Sequence, residues 1–172
     1  YFRYPYLHEG DTADKRKAVR RWLAAHGYTI APVSVDFEDW AWNHAYTRCL
    51  ARHDKPAIGR MKITFLEAAR VRLTVAKELS TRLFNRQVPH ILLLHIGAFD
   101  ALMLDDLFRT YRAAGVKMIS LDTALRDSAY AVDSGFIPSG PDSHLDRLAV
   151  SRGVKIPATS SSPWEALDRL CP

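Results

Sequence analysis

Three short segments gather the residue types that proton-transfer and acyl-transfer chemistry uses: Arg3-Tyr4-Pro5-Tyr6, Asp36-Phe37-Glu38-Asp39-Trp40 and Leu93-Leu94-His95. His95 closes a run of four aliphatic residues, Ile91 to Leu94, and precedes Ile96-Gly97. Read as a strand, that run puts Leu93 and His95 on one face, so an apolar wall and an imidazole point at the same spot. The pair suits a general acid beside a small apolar pocket; the plainer reading is a histidine satisfied by hydrogen bonding at a sheet edge. Asp36, Glu38 and Asp39 crowd three carboxylates together. One of them beside His95 would fix its tautomer and favour the imidazolium, whereas the plainer reading is a solvated strand end. Trp40 and Trp42 can line a sugar or acyl pocket, or simply pack. Arg3 can anchor a carboxylate in bidentate fashion.

The other histidines, His8, His26, His44, His53, His90 and His144, show no metal-binding spacing. On a strand His90 and His95 would face opposite ways, so the sequence offers no metal site of its own. It also carries no Walker loop, no GxGxxG turn and no GxSxG elbow. Cys49 and Cys171 are far apart and form no CxxC pair, which leaves the redox compartment open.

The elements that must position these groups follow from periodicity. Residues 1 to about 127 alternate short apolar runs with amphipathic stretches, the pattern of βα units on a parallel sheet. Asp11 or Thr12 caps a helix whose Ala18, Val19, Trp22 and Leu23 share a face, with Gly27 at its end. Strands are expected at the chain start, over 28–37 (interrupted by Pro32), over 89–95 and over 116–119. Asn43 is read as the cap of a short helix through Leu50. A long helix carries Ile58 to Leu83, another spans 100–114 and stops at Gly115, and Ser120 caps a turn through Leu125. Beyond Tyr130, Gly135, Pro138, Gly140 and Pro141 mark irregular chain. A short helix is expected over 142–152, Ser160-Ser161-Ser162 reads as a loop, and Ser162-Pro163-Trp164-Glu165 as a capping box that opens a last helix. The division expected is a main domain over 1–127 and an extension over 128–172.

A chain of 172 residues that is 48% hydrophobic can bury a full core. The net charge of +5 is dispersed, and the densest cluster, Lys15 to Arg21, reads as a solvated helix face, so nucleic acid is not an expected partner. No apolar run is long enough to span a bilayer.

Taken in order, the three segments resemble the last three motifs of the NodB-like polysaccharide deacetylases, carbohydrate esterase family 4. Arg3-Tyr4-Pro5-Tyr6 is similar to the R-x-P-Y motif, Asp36-Phe37-Glu38-Asp39-Trp40 to D-x-x-D-W, and Leu93-Leu94-His95 to L-x-H. The resemblance covers roughly residues 1 to 127. It implies an α/β fold, the C-terminal part of a distorted, incomplete β/α barrel with parallel strands and flanking helices. It further implies a metal-dependent hydrolase that removes N- or O-acetyl groups from a polysaccharide or amino sugar. The divalent ion, zinc being the expectation, would be bound by motifs upstream of this stretch, which reads as a fragment beginning midway through a strand. In that family His95 would be the general acid, with Asp36 as its carboxylate partner; Phe37 and Glu38 depart from the family pattern, so Asp36 and Asp39 both remain candidates. Arg3 would position a catalytic Asp outside this sequence, the Tyr6 N–H would face the oxyanion, and Leu93 and Trp40 would wall the acetate pocket. The substrate class implies a secreted or periplasmic protein. The alternative is a carbohydrate-binding module that kept the pocket without catalysis.

Overall fold

Thr12 opens the first helix as its extended backbone lets the hydroxyl accept from Lys15 N–H, and Gly27 ends it at a positive φ of 75°. The computed structural model describes residues 1–137, 142–158 and 163–171, and its helices are α1 (Ala13–Ala25), α2 (Ala41–Ala51), α3 (Lys55–Phe84), α4 (Ala98–Ala113), α5 (Leu121–Leu125), α6 (His144–Ser151) and α7 (Trp164–Asp168). Pro5–Leu7 and Ser128–Ala131 form 3-10 turns. Ser120 caps α5 and Ser143 closes a capping box with Asp146 on α6. The irregular Pro138, Gly140 and Pro141, the Ser160–Ser162 loop and the Ser162 end of the expected capping box lie outside the described residues.

The expected parallel sheet does not form. Among the described residues there is no β-strand, only two isolated parallel bridges, Phe2 with Ile30 and Val35 with Leu92. The α/β barrel reading is therefore corrected to a helical architecture joined by extended segments. The backbone groups that would propagate the ladders have other partners. Pro5 and Pro32 flank the first bridge and have no N–H to give. Near the second, Ile91 N–H donates to Ser34 Oγ, Pro89 C=O accepts from the Tyr130 hydroxyl and Val33 C=O accepts from His144 N–H. Side chains and a helix start thus take bonds that a neighbouring strand would have made. The 116–119 segment is likewise not a strand.

The chain folds as two compact units. One comprises Tyr1–Val35, Val75–Leu92 and Ile119–Pro157; the other comprises Asp36–Thr74, Leu93–Met118 and Ala158–Pro172. Each unit therefore draws on both sides of residue 127. The first unit buries Leu23, Val33, Val35, Leu79, Ile91, Leu145 and Leu148. It also buries Glu9, whose carboxylate meets Arg16 Nε (3.0 Å), Arg20 Nη1 (2.5 Å) and Arg147 Nη1 (2.6 Å). Arg16 in turn pairs with Asp133, holding that carboxyl down at about 2.

The second unit is built on aromatic packing. Phe65 lies edge-on to Phe37, Trp42 and Phe99, with centroids 5.0 to 5.5 Å away, and Met61, Met103 and Leu107 are fully enclosed. Helix α2 packs on both α4 and α7. Cys49 on α2 is disulfide-bonded to Cys171, and Arg48 Nη2 donates to the carbonyls of Leu167 and Leu170, so the chain's last helix is tied to α2 twice. No helix among the described residues is long and apolar enough to cross a membrane.

Candidate functional site

His95 sits in the extended segment just before α4, not at a strand end, so strand alternation does not set its direction. A carboxylate does. Asp39 is fully buried and holds His95 twice: Oδ2 accepts the His95 backbone N–H at 2.6 Å, and Oδ1 meets ring Nδ1 at 2.8 Å. Nδ1 facing a carboxylate carries the proton, which leaves Nε2 as the nitrogen able to exchange one. The imidazole side chain is 43% exposed, so an anchored, oriented base or acid is presented to solvent.

Of the two carboxylates left open by the sequence, Asp39 is the one at His95. The Asp36 carboxylate instead accepts the Glu38 N–H at 2.9 Å, closing a local turn, and Glu38 takes a positive φ of 59° there. Burial raises the Asp36 pKa, the charges of Asp39 and Glu38 add to the rise, and the Glu38 N–H and His95 oppose it. Asp36 is thus an electrostatic neighbour of the pair without touching the ring in any hydrogen bond.

Trp40, half-buried, is packed by Trp164 with centroids 3.9 Å apart, and Trp164 Nε1 donates to Glu38 Oε2 at 2.9 Å. Trp42 is enclosed, its indole N–H bonded to Thr64, so it serves the core. Leu93 is half-buried two residues ahead of His95.

Arg3 and Tyr6 belong to the first unit. Arg3 Nε donates to Ala31 C=O at 3.3 Å, and the residue lines a small surface hollow with Tyr4, Glu9, His144 and Arg147. Tyr6, at a φ of 54° in the 3-10 turn, is 88% exposed.

Two residues at the site were not singled out from sequence as part of it. Asn43, expected from sequence to cap α2, lies inside that helix, and its side chain caps α4 instead: Oδ1 accepts Phe99 N–H at 2.9 Å while Nδ2 donates to Asp100 Oδ2 at 2.5 Å. Asp100, in the first turn of α4, is 6% exposed, and burial pushes its carboxyl up to about 6. With Asn43 and Asp100 57 positions apart, no local pattern could reveal the contact.

Among the described residues no group of three or more His, Cys, Asp or Glu side chains could hold a metal ion. The described side chains gathered at this site are those of His95, Asp39 and their neighbours. No family model, no curated protein and no solved structure matches this chain.

Proposed function

We propose that the protein takes part in removing acetyl groups from a polysaccharide or amino sugar, with His95 as the group that protonates the departing amine or alcohol. The observation that carries this reading is the grip of buried Asp39 on His95 through Nδ1, which orients a partly exposed ring and leaves Nε2 for proton exchange. The order of the three motif segments in the sequence adds to it. In this reading Asp39 keeps the ring in one tautomer and stabilises the imidazolium between proton uptake and release. Trp40, backed by Trp164, and Leu93 supply apolar surface for an acetyl methyl group. The Cys49–Cys171 disulfide suits an exported protein, where such polymers are met. The divalent ion that the motif resemblance implies would need ligands other than the residues described.

The test is acetate release from an acetylated glucosamine oligomer by the natural protein, alongside His95→Gln. Acetate release that falls at least 100-fold in the variant, with glycan affinity unchanged, is expected. Glycan binding with no acetate released from the wild type would favour a non-catalytic binding module. Neither binding nor release would sink both.

A further inference from the structure

Asp39 spends both oxygens on His95, yet a second buried carboxyl, Asp100, lies within hydrogen-bonding reach of it. The Asn43 amide cannot turn to serve both, because its oxygen is committed to Phe99 N–H and its nitrogen to Asp100 Oδ2. Asp100 Oδ1 is left buried with no donor. Two ionised carboxylates have nothing to donate to each other and repel, whereas one proton between them satisfies the orphaned oxygen and removes the repulsion. Room for this arrangement comes from Gly97, since a Cβ there would stand 2.2 Å from the Asn43 amide. The glycine thus admits the side chain that holds Asp100 against Asp39.

We infer that Asp100 and Asp39 hold one proton between them, and that through it Asp100 is a positioning residue that sets how much negative charge faces His95. The role assigned to His95 in this inference rests on the reading of that residue as the proton-transferring group; the shared proton itself does not. Burial first, then the Asp39 charge and hydrogen bond, raise the Asp100 carboxyl against the opposing effects of Asn43 and His95, to about 6 in all. Loss of the shared proton leaves two negative charges beside the ring, and because the interaction is mutual, His95 then holds its own proton more tightly. The other titratable groups facing the pair are Asp36, whose pKa burial raises, and the Tyr111 phenol on α4, which burial keeps neutral through the whole physiological range.

The experiment is an NMR titration of the His95 ring in the natural protein, in Asp100→Asn and in an Asp36→Asn control. Asparagine at 100 copies the protonated acid: its carbonyl accepts from Asn43 and its amide donates towards Asp39, with no proton to lose. The wild type should show two coupled inflections for His95, one of them near pH 6. Asp100→Asn should show a single inflection, and Asp36→Asn should keep both. A merely structural Asp100 would leave the number of inflections unchanged, so superimposable curves for wild type and Asp100→Asn overturn the inference. Should that variant fail to fold, the carboxyl carbon of Asp100 in the wild type decides: titration near pH 6 supports the shared proton, and titration below pH 4 overturns it. Coupled titration without acetate release would defeat the deacetylase reading and leave the shared proton standing.

Discussion

Glu9 and Arg147, 138 residues apart, meet side by side in the interior of the first unit, with the Leu7 carbonyl accepting a second bond from the same guanidinium. Arg16 joins them, and the Arg16 and Arg147 side chains are each only 7% exposed. Such a pair is worth little over an apolar replacement, but removing one member strands the others without a counter-charge.

Glu9→Ala is therefore expected to lower stability by about 3–5 kcal/mol, the cost of leaving buried cations unpaired. Asp133 still neutralises part of the Arg16 charge, so most of the loss should trace to Arg147. Urea denaturation checks this, and a double variant Glu9→Ala/Arg147→Met should recover more than half of the loss. A single-variant cost under about 1 kcal/mol would show the cluster to be effectively solvated.

At the candidate site, Asp39→Asn replaces the acceptor facing Nδ1 by a group that can donate, so it favours the wrong imidazole tautomer. Turnover of the proposed deacetylation should fall by about 10²- to 10⁴-fold with little change in KM. A KM effect alone would place His95 in binding and not in proton transfer.

The disulfide closes a separation of 122 residues, and long loops are those whose closure most restricts the unfolded chain. Cys171→Ser should cost about 2–5 kcal/mol. Thermal melts with and without reductant read it out: the wild type should drop to the variant's Tm on reduction, and the variant should ignore reductant.

His90 gives the pH prediction. Burial and Lys77 hold it down at about 4, below its ordinary value of 6.5. Between those values the unfolded chain binds a proton that the folded chain does not, so this contribution is complete above pH 6.5 and is lost as pH falls towards 4. Asp100, raised to about 6, acts in the opposite sense over part of the same window. The comparison must therefore be with His90→Leu: the stability of wild type relative to that variant should fall steadily from pH 7 to pH 4. A pH-independent difference would mean that His90 meets solvent freely.

The helices were legible because several signals agree in each. Apolar spacing at 3.6 residues, Thr12 and Ser120 as caps, and Gly27 and Gly115 at positive φ locate α1, α4 and α5 to within a residue or two. The expectation of strands fails because Ile91 to Leu94 is apolar throughout, and a short run of that kind has no period to separate a strand from buried extended chain. What decided it were the bonds of Ser34, Tyr130 and His144 to neighbouring backbone, each spanning dozens of residues. At the site, residue type alone marked His95 and the acidic cluster, but choosing Asp39 over Asp36 needed coordinates. Asn43, Asp100 and the disulfide are contacts across long sequence separations and left no local trace.

The segment between His95 and Phe99 is clamped at both ends, the first N–H by Asp39 and the second by Asn43. Five residues tethered at each extremity have no slack to swing. Any excursion of the imidazole large enough to follow a ligand must drag the start of α4 along, or else break the bond to Asp39 or to Asn43. The ring is therefore a fixed post and not a moving arm, and whatever it acts upon has to be delivered to it.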